Sequence, residues 1–192
     1  MELITILLGA AGAGLLLTPK TVVASEKERG TVVPPAGVTY VPNKMKFLPR
    51  AKKIKGIVVH HTHTASASST KSVLEDRGFS TNFEVDQKGN IYMYADPAKW
   101  EAQATGGGAN AHTIGIDVTH VGLTAKFPDV QVAALRSLIH QLANTYGFKV
   151  AVAPDGQRGK WADWVDKGYT VFRHRNFVNT ACPANLPLEK VA

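Results

Sequence analysis

The segment IKGIVVHH, residues 54–61, has the pattern of a buried strand in this chain of 192 residues. Its apolar and β-branched residues form a continuous run, which is typical of a strand inside a sheet. HTIGIDVTH at 112–120 and YTVFRH at 169–174 are two further runs of this kind. The first and the last run end in histidine, so the sequence places imidazole groups where strands give way to loops.

Helical and hairpin patterns lie between these strands. A hydroxyl cap and a terminal glycine predict a short helix in SSTKSVLEDRG at 68–78. Two alternating runs around a Lys-Gly-Asn turn predict a hairpin at 82–95. The clearest helix is at 128–147, where apolar residues recur on one face and Gly147 suits the end. Strands interleaved with helices predict an α/β fold with a mixed central β-sheet flanked by helices.

The N-terminal part of the chain differs in composition from the rest. Residues 3–17 are apolar or small, a run about as long as a signal-peptide core and shorter than the ~20 residues that span a bilayer. We expect export or membrane association through this run; the alternative is a helix that packs on a partner assembly such as a virion. Residues 18–53 are rich in proline, lysine and valine, which predicts an extended linker arm. The predicted division is a signal- or anchor-like segment at 1–17, the arm at 18–53 and one globular domain at 54–192.

The charge of the chain favours a polyanionic partner. The net charge is +7 and the isoelectric point is about 9.5. Nucleic acid, anionic lipid and an acidic cell wall all have the required charge. An arginine-rich helix or an RNA-binding aromatic signature is missing from the sequence, so we do not expect nucleic acid as a partner.

The only cysteine, Cys182, lies in FRHRNFVNTACPANLP at 172–187, eight residues after His174. A lone cysteine can be a packed core thiol, a nucleophile or a metal ligand. Zinc takes cysteine and histidine ligands, and a catalytic zinc site uses three protein ligands and one open position. One histidine from the cluster at 60–63, with His174 and Cys182, would supply three. From the residues alone, all three uses of the cysteine stay open.

Four segments occur in this order: IVVHHTHTAS at 57–66, STNFEVDQKGNIY at 80–92, NAHTIGIDV at 110–118 and FRHRNFVNTACP at 172–183. Together they resemble the zinc-dependent N-acetylmuramoyl-L-alanine amidases of type 2, a family that includes phage amidases and peptidoglycan recognition proteins. The resemblance covers about residues 54–187, which is nearly all of the predicted domain. It implies a single amidase domain, one zinc ion and bacterial peptidoglycan as the partner.

The resemblance also implies the residues of the site. His60, His174 and Cys182 match the three zinc ligands. Asp117 matches an acidic residue that other members carry in this strand, and we interpret it as the general base; Thr180 matches a residue that polarises the developing oxyanion. Two alternatives stay open: Asp117 as a carboxylate in a structural hydrogen bond, and Thr180 as a loop hydroxyl that caps backbone groups.

One position departs from many members of the family. Thr81 stands where they carry a catalytic tyrosine, and the carboxylate in IGIDV fits a sub-pattern that lacks this tyrosine. For contact with the substrate we expect Asn82, Trp100 and Trp161. Trp161 lies in the long polar insertion APDGQRGKWADWVDKG at 153–168, and loops of that length are often functional.

The implied reaction is hydrolysis of the amide between N-acetylmuramic acid and the L-alanine of the stem peptide. The resemblance implies a phage lytic enzyme, either an endolysin or a virion-associated protein, that acts in the periplasm or cell wall. Two alternatives remain. One is a module that binds peptidoglycan without cutting it, and the other is a cysteine hydrolase with Cys182 as nucleophile and His174 as base.

Overall fold

The computed structural model of the chain describes residues 33–124 and 126–192. The strands in these residues are β1 Val38–Tyr40, β2 Leu48–Pro49, β3 Gly56–His61, β4 Phe83–Val85, β5 Ile91–Met93, β6 Trp100–Glu101, β7 Thr113–Val118 and β8 Val171–Arg173. The α-helices are α1 Ala67–Arg77, α2 Asp129–Tyr146 and α3 Trp161–Val165. Short 3₁₀ helices span Asn110–His112, His174–Asn176 and Leu188–Val191.

The main sheet has six strands in the order β1-β5-β4-β7-β3-β8. β4, β7, β3 and β8 run parallel to one another, while β4 and β5 form the antiparallel hairpin. Every residue of β3 and of β7 is buried, which explains why both strands are continuous apolar runs in the sequence. The prediction of an α/β fold around a mixed central sheet is confirmed.

The two longer helices begin and end near their predicted limits. α1 starts after Ser66, whose hydroxyl accepts a hydrogen bond from the Ser69 N–H, and it ends at Gly78 with φ of 69°. α2 ends at Gly147 with φ of 71°, a left-handed conformation that glycine adopts without steric cost. The apolar face of α2 packs on the sheet, and the main core includes Leu135, Leu138, Ile139 and Leu142 with Ile57, Ile114 and Ile116.

The N-terminal limit of the domain differs from the prediction. The linker arm was predicted to run to residue 53, but β1 pairs in parallel with β5 and extends the main sheet. Met45 and Phe47 are fully buried and pack with Tyr94. Residues 38–49 are therefore part of the fold and not a linker. The predicted anchor-like run at 3–17 lies outside the described residues.

The polar insertion at 153–168 is packed against the domain. Its helix α3 places Trp161 and Trp164 in a second core cluster with Phe172 and Phe177. The insertion therefore lies over the edge of the sheet at β8. Within residues 33–124 and 126–192, no helix is long and apolar enough to cross a membrane.

Candidate metal centre and active site

Three candidate metal ligands meet at one edge of the sheet. His60 is near the end of β3, and His174 follows β8 directly. β3 and β8 are parallel neighbours, so their carboxyl ends lie side by side. The loop after His174 returns Cys182 to the same place. The ligand atoms of His60, His174 and Cys182 all lie within 4.8 Å of one another, and the two imidazole centroids are 4.4 Å apart.

The chemistry of this donor set fits a zinc ion. Two imidazoles and one thiolate are ordinary zinc ligands, and three protein ligands leave a fourth position open. Burial, followed by the neighbouring His174 ring, lowers the pKa of His60 well below its usual value. Burial lowers the pKa of His174 to about 4. Both imidazoles are therefore neutral near pH 7 and offer lone pairs to a metal.

The surroundings of Cys182 are those of a protonated thiol. Burial raises its pKa to about 12. The backbone N–H of His61 donates to Cys182 Sγ at 3.2 Å. A nucleophilic cysteine normally has a lowered pKa, so these surroundings disfavour attack by a free thiolate. A metal can displace the thiol proton when it binds.

Asp117 lies next to His60 on the neighbouring strand β7. The two residues are paired in the β3–β7 register, so their side chains leave the sheet on the same face. Burial, and then the Glu84 carboxylate, raises the pKa of Asp117 well above its usual value. Glu84 is the partner of Asp117 in the β4–β7 register. The hydroxyls of Tyr94 and Thr119 both donate to Glu84.

Thr180 and Thr81 have defined backbone contacts. Thr180 accepts a hydrogen bond from the Cys182 N–H at 3.2 Å, which is the capping contact expected of a loop hydroxyl. The residue also lines the groove beside the ligands. Thr81 is fully buried, donates to the Phe83 carbonyl and does not line either part of the groove described below.

An open groove passes over the ligand atoms. One part has a volume of about 460 Å³ and contains His60, Asp117, His174 and Cys182 among its lining residues. An adjoining part of about 560 Å³ shares His174 with it. The basic lining residues are Arg77 and Lys46, and the exposed apolar ones are Val73, Phe79 and Leu123. A larger cavity of about 760 Å³ beside the start of α1 contains none of the three ligands.

Asn82, Trp100 and Trp161 lie outside both parts of the groove. Asn82 is fully buried, where its amide donates to the Trp100 carbonyl and accepts from the Gly115 N–H. Trp100 packs against the small core cluster of Met45, Phe47 and Tyr94. Trp161 is stacked on His112 with ring centroids 5.1 Å apart. The structure thus places all three in packing positions, and their predicted contact with substrate receives no support from this placement.

Thr105 is a further residue of the site, and no motif in the sequence marks it. Its hydroxyl lies 3.0 Å from His60 Nε2, and the residue is buried. Ligand histidines generally use their second nitrogen in such a contact, which fixes the ring orientation. Thr105 stands 45 residues from His60 in a glycine-rich loop, so no local pattern connects the two.

The family comparison covers most of the chain. A family model described as N-acetylmuramoyl-L-alanine amidase matches residues 50–185. A comparison with curated protein sequences finds no match.

Several solved structures share the fold. The amidase LysC from Clostridium intestinale URNW is 19% identical, with a TM-score of 0.59, over 80% of this chain and 93% of its own. A mutant endolysin from Bacillus subtilis is 21% identical, with a TM-score of 0.58, over 80% of this chain and 96% of its own. Peptidoglycan recognition protein SA from Drosophila is 15% identical, with a TM-score of 0.51, over 88% of this chain and 90% of its own. At these identities the likeness shows the fold alone, while the sequence match across residues 50–185 shows that the chain belongs to the N-acetylmuramoyl-L-alanine amidase family.

Proposed function

We propose that this protein is a zinc-dependent peptidoglycan hydrolase that cleaves the amide between N-acetylmuramic acid and the L-alanine of the stem peptide. The observation that carries the proposal is the convergence of His60, His174 and Cys182 beside a buried carboxyl group in an open groove. The family membership supports the same reaction. Zinc bound by these residues would polarise the scissile carbonyl and make water a stronger nucleophile at neutral pH.

Asp117 is the general base in this proposal. It lies on the same sheet face as His60, in the groove where the substrate amide would enter. Its raised pKa brings the carboxyl group closer to the operating pH, where a general base works best. Asp117 would take a proton from the attacking water and pass it to the leaving amine of L-alanine.

Thr180 has a supporting role in the same groove. Its hydroxyl oxygen accepts from the Cys182 N–H, so the hydroxyl proton is free to point toward the developing oxyanion. The backbone contact fixes the position of the oxygen before the substrate binds. Preorganised donors of this kind stabilise charge that develops in a transition state.

The charge of the groove suits an anionic substrate. Among the lining side chains that the structure describes, the Lys and Arg residues are Lys46 and Arg77, and the only acidic one is Asp117. Stem peptides carry carboxylates, and the protein as a whole has a net charge of +7. We therefore propose that bacterial peptidoglycan binds along both parts of the groove.

Two other functions fit the observed site less well. A module that only binds peptidoglycan has no need for a complete ligand triad beside a buried carboxyl group. A cysteine hydrolase needs a reactive thiolate, but burial raises the Cys182 pKa to about 12. Both observations favour metal-dependent hydrolysis.

For biological context we propose a phage lytic enzyme, an endolysin or a virion-associated protein, that acts outside the cytoplasm. Family membership is the support for this context. Association with a membrane or virion through residues 3–17 is a separate proposal, which rests on the apolar composition of that run.

The test is digestion of purified sacculi with analysis of the bond that is cut. We expect new N-terminal L-alanine without new reducing sugar ends, loss of this product with a strong chelator, and its return with added zinc. Reducing ends would indicate cleavage of the glycan instead. Undiminished product in chelator, together with its loss in Cys182→Ser, would indicate the cysteine hydrolase. Binding without any product would indicate the recognition module.

A further inference from the structure

Two ligands of the proposed centre, His174 and Cys182, lie on a segment with little regular structure of its own. From the side chains around this segment, we propose that Asp155 and Arg175 are positioning residues, which hold the loop around Cys182 in the conformation that binds metal. We call this pair the Asp155–Arg175 clamp. The inference rests on the proposed zinc site and assigns a role to the insertion at 153–168.

Arg175 contacts the backbone on both sides of the cysteine ligand. Its Nη1 donates to the Ala181 carbonyl at 3.1 Å and to the Ala184 carbonyl at 2.7 Å. Its backbone N–H donates to the Cys182 carbonyl at 3.0 Å. One residue thus fixes three carbonyls of the turn that presents Sγ, and it directly follows the ligand His174.

Asp155 fixes the guanidinium of Arg175 from the insertion. Arg175 Nε donates to one carboxylate oxygen at 2.6 Å, and Nη2 donates to the other at 2.7 Å. Such a two-pronged pair defines the plane of the guanidinium, which lysine cannot reproduce. The hydrogen bond from Arg175 is the largest cause of a lowered Asp155 pKa. Asp155 is half exposed, so the pair adds little to global stability, and its effect is orientation.

The insertion is itself fixed to the segment that carries the ligands. The Asn176 amide donates to the Pro154 carbonyl at 3.0 Å and to the Gln157 carbonyl at 2.8 Å. The Gly159 N–H donates to the Asn176 carbonyl at 2.9 Å. These hydrogen bonds, with the buried tryptophans of α3, hold the backbone around Asp155 in place. The clamp therefore connects a packed part of the domain to an irregular loop.

The experiment measures zinc affinity and ligand geometry in the full chain, independently of hydrolysis. Arg175→Lys keeps the charge but loses the two-pronged geometry, and Asp155→Asn keeps the shape but loses the charge. Zinc affinity is measured by competition with a chromophoric chelator, and the cobalt-substituted protein reports the metal–thiolate bond through its visible spectrum. We expect zinc affinity to fall by about 10-fold or more in Arg175→Lys, with an altered spectrum, and by less in Asp155→Asn.

Asp163→Asn is the matched control, because Asp163 lies in the same insertion and accepts from the Lys160 N–H at the start of α3 without touching the cysteine loop. We expect it to lower thermal stability while leaving zinc affinity and the cobalt spectrum unchanged. Wild-type affinity and spectrum in both clamp variants would overturn the inference, even if they unfold earlier. If Arg175→Lys does not fold, Asp155→Asn decides by the same criterion. A wild-type chain that binds no zinc overturns the proposed function and the clamp together.

Discussion

His60 and Cys182 lie at the same site, but a paired strand holds His60 and an irregular loop holds Cys182. β3, which carries His60, is hydrogen-bonded on one side to β7 and on the other to β8. Cys182 lies in an irregular loop whose form depends on side-chain contacts from Arg175 and Thr180. The strand ligand is held by backbone pairing that any buried apolar sequence can provide. The loop ligand needs particular side chains, so the two sides of the site should respond differently to substitution.

Removal of a ligand has the largest expected effect on both sides. His60→Ala and Cys182→Ala each leave two protein ligands, so we expect zinc affinity to fall by more than the ~100-fold that loss of an outer contact can cost. Metal content after dialysis checks this, with His140→Ala as the control, because His140 lies on α2 and contacts the Val191 carbonyl. Retention of one zinc per chain by either ligand variant would contradict the assignment.

Asp117→Asn tests the strand side of the site, where β3 and β7 carry His60 and Asp117, without removing a proposed zinc ligand. The amide keeps the shape of the carboxyl group but cannot accept the proton, so we expect turnover to fall by about 10²-fold or more with zinc content unchanged. Rates of L-alanine release at saturating substrate give the comparison. Near wild-type turnover would mean that Asp117 is structural and that another group, such as Glu84, accepts the proton.

The pH dependence of zinc affinity distinguishes the ligand types. The Cys182 pKa of about 12 means that the thiol is protonated at neutral pH and must lose one proton when zinc binds. The His174 pKa is about 4 and that of His60 is also lowered, so neither competes with a proton above about pH 6. Zinc affinity should therefore rise about tenfold per pH unit from pH 6 to 9. Chelator competition across this range, corrected for the chelator's own protonation, gives the slope. A flat profile would mean that Cys182 is already a thiolate or is not a ligand.

Thr105→Val has the smallest expected effect. Valine keeps the volume but loses the contact with His60 Nε2, so we expect zinc affinity to fall by up to about 10-fold. Thr113→Val is the control, since the Thr113 hydroxyl contacts the Ala109 carbonyl and no ligand. An equal loss of affinity in both variants would show a general effect of buried hydroxyls and not one on His60.

The same contrast explains which parts of the fold could be predicted from the sequence. β3, β7 and α2 follow from continuous or periodic apolar patterns within one segment. β1 has three residues and follows a proline pair, so its pattern was too short. A usable signal existed nearby, because alternation in KMKF at 44–47 marks the buried Met45 and Phe47.

The residues of the site also fall into those that the sequence predicts and those that it does not. The ligands and Asp117 stand in recognisable motifs, whereas Thr105 and Asp155 act through contacts that the chain makes at separations of 45 and 20 residues. No local pattern encodes such contacts. Trp161 is a predicted substrate contact because it lies in a long polar insertion, but it packs against Phe172 in a buried cluster. The polarity of a segment does not predict the burial of one side chain when a five-residue helix turns that side chain into the core.

X-ray absorption at the zinc edge, measured on the purified full-length protein, tests the metal centre itself. We expect one zinc per chain with two nitrogen ligands at about 2.0–2.1 Å, one sulfur ligand at about 2.3 Å and a fourth light atom. Loss of the sulfur shell in Cys182→Ala, with a nitrogen shell remaining in any zinc still bound, would confirm that the loop supplies the thiolate. A wild-type spectrum without sulfur, or a protein that retains no zinc, would contradict the His60–His174–Cys182 centre.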